Sequence, residues 1–103
     1  MSNAQPRRNV LVTGASKGIG AATALAFARA GCNVGVNYCK TPAGAEAVAA
    51  EIRALGMDAE VYAADVGVAA QSEKLVQDFV ARFGRIDVLI NNAGGALTIP
   101  RGG

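Results

Sequence analysis

The sequence predicts an α/β fold, a doubly wound parallel sheet with the order βαβαβαβ, and three observations carry that expectation. Four short Val/Ile-rich runs at 9–13 (NVLVT), 33–38 (NVGVNY), 59–64 (AEVYAA) and 86–90 (IDVLI) are bounded by Gly, Asp or Asn, as strands are. Between them lie three longer segments whose apolar residues recur at helical spacing. Each of these segments closes on a glycine, Gly31, Gly56 or Gly84, where a helix end needs a left-handed residue. Strands that alternate with helices pair in parallel, through right-handed crossovers.

In chain order, the first strand is almost wholly apolar, which suits a strand covered on both faces. It runs straight into a glycine-rich turn and the first helix. After the second strand, Thr41-Pro42 is a helix start signal, a hydroxyl cap followed by proline in the first turn. The second helix then puts Ala45, Val48, Ala49, Ile52 and Leu55 on one face. The third helix does the same with Leu75, Val76, Phe79, Val80 and Phe83, and the VLI run of the fourth strand follows. The segment before Asn9 (residues 1–8) reads as an N-terminal tail outside the fold, and residues 9–94 as the folded segment.

Composition narrows the function classes. A chain of 103 residues, 51% hydrophobic and 17% charged, is one small domain or part of one and not a disordered segment. Its 13 Gly and 22 Ala favour close approach of backbone to backbone or ligand over a core of large rings. A net charge of +2, with seven Arg and three Lys scattered along the chain, gives no field for gripping a polyanion, so no nucleic-acid partner is expected. No run approaches the ~18 apolar residues of a membrane span, and the polar start has no signal-peptide core. A cytoplasmic location without membrane attachment is the expectation. Cys32 and Cys39 fall on one predicted strand, seven residues or about 23 Å apart at ~3.3 Å per residue, too far for a disulfide, so both should be free thiols. With no His in the chain, no metal set can be assembled.

The chemistry concentrates in Thr13-Gly14-Ala15-Ser16-Lys17-Gly18-Ile19-Gly20, between the first strand and the first helix. A diphosphate can approach the backbone there because Gly14, Gly18 and Gly20 lack a β-carbon, and the helix opening offers N–H groups and a positive dipole end. Gly20 would also let the helix sit close on the sheet. Three glycines alone would equally serve tight strand-turn-helix packing. The spacing is G-x-x-x-G-x-G and not G-x-G-x-x-G, and no G-x-x-x-x-G-K-S/T loop occurs, which sets kinase and GTPase readings aside.

The wider spacing, with Thr13 ahead of it and Ile19 between the last two glycines, resembles the cofactor turn of the short-chain dehydrogenase/reductase family. Two further segments match: Asp65-Val66 after the third strand and Asn91-Asn92-Ala93-Gly94 after the fourth. The resemblance implies an NAD(P)-binding Rossmann-like sheet of strand order 3-2-1-4, with a nicotinamide dinucleotide across the carboxyl ends of the strands. It implies that Gly14, Ser16 and Ile19 hold phosphate and ribose, and that Asp65 accepts from the adenine amino group. The Val66 backbone would meet the ring edge, and Asn91, Ala93 and Gly94 would line the nicotinamide ribose. A turn-forming aspartate, and an amide-stitched turn at Asn91-Asn92, are the purely structural alternatives.

Cofactor choice should rest on the end of the second strand, where a carboxylate would bond the ribose hydroxyls of NAD and repel the extra phosphate of NADP. Asn37, Tyr38 and Cys39 stand there without an acid, and Lys17 and Lys40 could meet a dianion, so NADP is expected over NAD. Solvated surface charge is the plain reading of both lysines, and a buried or half-buried thiol that of Cys39. Family members use a serine, a tyrosine and a lysine four residues later to move hydride between the nicotinamide and a ketone or secondary alcohol. Here Tyr38 and Tyr62 are followed at that distance by Pro42 and Val66, so the chain supplies no catalytic residue. Residues 95–103 read as a loop leading toward a C-terminal half outside this chain, the fourth strand being left as an edge. The parent would then be an oxidoreductase and, at full length, a homo-oligomer. A non-catalytic dinucleotide-binding module is the alternative, and a flavodoxin-like or receiver-like module a remoter one. Gly67 departs from the family, which often carries a hydroxyl residue there, and weakens the cap of the third helix.

Overall fold

The computed structural model describes residues 7–92. The elements are β1 (Asn9–Val12), α1 (Gly18–Arg29), β2 (Asn33–Tyr38), α2 (Pro42–Ala54), β3 (Ala59–Ala63), α3 (Ala69–Phe83) and β4 (Val88–Ile90). All pairings are parallel and the strand order is β3-β2-β1-β4, as expected. Gly31, Gly56 and Gly84 end the three helices at φ 93°, 91° and 97°, the left-handed backbone that favours a residue without a β-carbon.

Helices cover both faces of the sheet. Val10 and Val12 of β1 and Val34 and Val36 of β2 meet Ala24 and Ala28 of α1 and Ala45, Ala49 and Ile52 of α2 in one fully buried cluster. The small alanines bring both helix backbones close to the sheet. On the opposite face Leu11 packs with Ala64, Leu75 and Phe79, and α3 lies over them. Gly35 of β2 makes room for that ring: a β-carbon there would come within 2.6 Å of it. Two apolar positions depart from the expected stripes. Val80 is 39% exposed at the edge of the buried face of its helix, and Leu55 is 42% exposed because it is the residue that closes the second helix, one position past Ala54. Thr41 precedes α2 with Pro42 in its first turn, but its hydroxyl makes no cap hydrogen bond. Val68, one residue past Gly67, heads α3, and its apolar side chain supplies no cap, so the glycine at 67 is not the residue that leaves this helix uncapped.

A knot of asparagines ties the amino ends of the strands. The Asn9 amide donates to the carbonyls of Phe83 and Arg85 at 3.2 Å, Asn33 donates to Asn9 Oδ1 at 3.1 Å, and the Asp58 N–H donates to Asn33 Oδ1 at 3.1 Å. The Asn9 backbone N–H, with Arg85 beside it, holds the Asp87 carboxyl below the usual carboxylate range.

Tyr62 of β3 faces α3, and its hydroxyl is buried without a hydrogen-bond partner among the described residues. Burial pushes this phenol up to about 12, with the Glu60 charge adding and Arg82 opposing. The unfolded chain releases the proton near the ordinary value of about 10 while the folded chain keeps it. Stability should therefore hold below about pH 10 and fall as pH rises from there toward the folded value. Melting temperatures across that window should decline less in Tyr62→Phe; an equal decline would place the alkaline loss elsewhere.

Candidate dinucleotide site

The glycine turn, the end of β2 and the segment after β4 meet at the carboxyl end of the sheet, where β1 is flanked by β2 on one side and β4 on the other. Open α/β sheets form a crevice at such a point, because the chain leaves neighbouring strands toward opposite faces. Gly14, Ser16, Lys17, Gly18, Tyr38, Cys39 and Lys40 all line one cleft of about 820 Å³. Thr41, Gly44 and Asn92 complete the wall; the first two read in the sequence only as the start of a helix. Gly44 is there for a steric reason: a β-carbon on it would overlap the Ser16 carbonyl, so α2 can start against the turn only with glycine at this position.

The turn is held from both sides. Gly14 and Gly18 each have φ 60°. The Gly14 N–H donates to Asn37 Oδ1 at 3.0 Å and its carbonyl accepts from Asn92 Nδ2 at 3.1 Å, while the Ala15 N–H donates to the Asn37 carbonyl at 2.8 Å. Gly20 is buried directly behind the turn, where a β-carbon would overlap the Gly14 carbonyl and stand 2.7 Å from Asn92 Nδ2. Thr13 joins this arrangement: its hydroxyl accepts from the Asn92 N–H at 2.9 Å and lies 3.2 Å from Asn91 Oδ1. The asparagine pair after β4 is therefore stitched to the turn through its side chains, the structural role the sequence left open.

Protein groups thus take up the amides of Gly14 and Ala15 but not those that open α1. The first bond in that helix runs from the Ala21 N–H to the Lys17 carbonyl at 3.2 Å, and no side chain caps its start. The N–H groups of Gly18, Ile19 and Gly20 precede that bond and lack intrahelical acceptors, and the helix dipole adds partial positive charge to them. Lys17 and Lys40 are both exposed on the cleft wall, and no carboxylate lines it among the described residues. These features fit an anionic, phosphate-bearing ligand.

Other expected site residues fall nearby or elsewhere. The Ile19 side chain is 77% exposed beside the turn. Asp65 stands exposed just past β3, with Oδ1 accepting the Gly67 N–H at 2.9 Å in a tight turn. Val66 and Asn91 line an adjoining small crevice with Leu11, Thr13 and Leu89. Ala93 and Gly94 lie outside the described residues, as does the expected loop at 95–103. Two expectations need correction. Cys39 is exposed and not half-buried, because β2 ends one residue before it. Asn37 is 1% exposed and does not line the cleft; its amide is consumed by backbone groups on three sides, so it cannot meet a ribose or phosphate.

The family model for short chain dehydrogenases matches residues 8–101. The chain belongs to the short-chain dehydrogenase family. An uncharacterized oxidoreductase of Methylorubrum extorquens is 54% identical over 84 residues, which cover 82% of this chain and 34% of that protein. The 3-oxoacyl-(acyl-carrier-protein) reductase FabG of Staphylococcus aureus is 46% identical over 87 residues, 84% of this chain and 35% of that one. Among solved structures, the NADH-dependent reductase A1-R' complexed with NAD is 44% identical and superposes with a TM-score of 0.80, over 86% of this chain and 37% of that one. The chain thus spans about a third of the length of the curated relatives it matches. The span matched by the short-chain dehydrogenase model takes in every strand and helix described above and the glycine turn. No helix among the described residues is long and apolar enough to cross a membrane.

Proposed function

We propose that this chain is the cofactor-binding half of a cytoplasmic short-chain dehydrogenase that prefers NADP(H), and that its substrate is a ketone or secondary alcohol. The single observation that carries this reading is the pairing of an uncapped α1 amino end with two exposed lysines on a cleft wall that has no carboxylate among the described residues. The N–H groups of Gly18, Ile19 and Gly20 would hold the pyrophosphate, with Ser16 beside them. Lys17 and Lys40 would meet the additional phosphate of NADP, with Tyr38, Cys39 and Thr41 forming the floor. Asp65 keeps acceptor capacity beyond its bond to Gly67 and would take the adenine amino group, with Val66 at the ring edge. Asn91, Ala93 and Gly94 would line the nicotinamide ribose. When bound, the cofactor supplies or accepts a hydride; the chain's own residues bind and orient it.

The groups that polarise the substrate oxygen and pass its proton would belong to the remainder of the parent enzyme, which would assemble as a homo-oligomer. The contrary feature is that one solved relative is described as NADH-dependent. Cofactor titration decides between the two. NADPH should bind about tenfold or more tightly than NADH, and replacing Lys17 and Lys40 together by alanine should remove that advantage while NADH affinity changes little. Equal loss for both cofactors would move the lysines out of the selectivity site, and no binding of either would end the dinucleotide reading.

A further inference from the structure

We propose that Asn37 is a positioning residue that fixes the spacing between the phosphate turn and the adenine end of the site, and that it does not choose between cofactors. This rests on the dinucleotide reading above. The side chain sits at the carboxyl end of β2, between the two segments it would hold. On one side its Oδ1 accepts the Gly14 N–H at 3.0 Å, and its backbone carbonyl accepts the Ala15 N–H at 2.8 Å. On the other its Nδ2 donates toward the carbonyls of Tyr62 at 3.2 Å and Ala64 at 3.1 Å, as well as that of Tyr38 at 3.2 Å. Ala64 is the residue immediately before Asp65. One amide therefore spans from the first residue of the glycine turn to the residue that precedes the adenine contact.

The residue type follows from that bridge. The site needs an acceptor on one side and a donor on the other, at the same distance from the strand, inside a region from which water is excluded. Aspartate keeps the acceptor but turns the donor into an oxygen facing three carbonyls. Serine is too short to reach both sides. Nothing else among the described side chains joins Gly14 to β3, since Asn92 holds the Gly14 carbonyl from the β4 side only. Losing the bridge leaves each half in place and lets their separation vary. The affinity of a ligand that touches both halves should suffer most.

The test uses the full chain, Asn37→Asp and Asn37→Ser, each studied well below its own melting temperature. NADPH, NADH and ADP, all of which span both halves, should each lose about tenfold in affinity while the NADPH to NADH ratio stays unchanged. Adenosine, confined to the Asp65 end, should bind nearly as before when followed by NMR shifts. A changed NADPH to NADH ratio would show direct contact with the ribose and overturn the proposal. So would unchanged affinity for all the ligands in a folded variant, which would make the role one of fold stability alone. If neither variant folds, hydrogen exchange in the unmodified protein decides: the Gly14 amide and the Asn37 side-chain amide should be protected, and exchange at the rate of an open turn would overturn the bridge. Failure of the unmodified chain to bind NADPH or NADH would overturn the functional reading instead, which that exchange measurement does not depend on.

Discussion

Replacing Gly14 by valine is expected to abolish dinucleotide binding while the sheet and helices still form. Gly14 holds φ 60°, a conformation that costs a residue with a β-carbon about 1–2 kcal/mol and a β-branched one more. The turn cannot escape by rotating, because the Gly14 N–H is bonded to Asn37 and its carbonyl to Asn92. Either the strain is retained, with a branched side chain on a residue that lines the cleft, or the bonds break and the turn shifts. Both outcomes remove the close backbone approach that a pyrophosphate requires. Affinity for NADPH should fall by about 100-fold or more, equivalent to about 2.7 kcal/mol. Far-ultraviolet circular dichroism should remain that of an α/β protein, since the residue lies outside every strand and helix. Titration with NADPH beside the dichroism spectrum reads both at once. Unchanged affinity in a folded variant would remove the turn from the binding site altogether.

The framework was legible in the sequence because each of its elements has a local cause. Val10 and Val12 alternate with Leu11 and serve both faces, the helix-ending glycines occupy left-handed positions, and Ala45, Ala49 and Ile52 keep helical period on a buried face. What escaped the sequence is where several elements decide jointly. Asn37 reads as a ligand contact because it is polar and stands next to the end of a strand at the site's position; only the folded chain brings Gly14, Tyr62 and Ala64 around it and consumes its amide. Gly44 reads as an ordinary residue of an alanine-rich helix until α2 is packed on the Ser16 carbonyl. Cys39 is exposed because it stands one residue past β2, on the lining of the cleft, a position that only the folded chain gives it.

Gly35 and Phe79 should show the largest stability effects in the molecule, and they should be coupled. Phe79 is the largest fully buried side chain among the described residues and joins α3 to the sheet, with ring centroids 4.7 Å from Phe83 and 6.1 Å from Tyr62. Truncating it to alanine should cost about 3–5 kcal/mol, a large share of the ~5–15 kcal/mol that a domain commonly has. Gly35 lies beneath the ring: an added β-carbon would stand 2.6 Å and 2.7 Å from two of its carbons and 3.1 Å from Leu11 Cδ1. The ring is packed on its other sides, so Gly35→Ala should cost about 1–3 kcal/mol by overpacking even though alanine suits a strand better than glycine. Shortening the ring should relieve that clash. In a Phe79→Leu background the same Gly35→Ala change should be nearly neutral, a coupling of about 1–3 kcal/mol measurable from urea midpoints of the four proteins. The consequence reaches the site, because the cluster that Phe79 anchors includes Ala64, the carbonyl of which accepts from Asn37. If Gly35→Ala costs the same in both backgrounds, the ring is not what excludes the β-carbon, and the packing of α3 on β2 must be set by another contact.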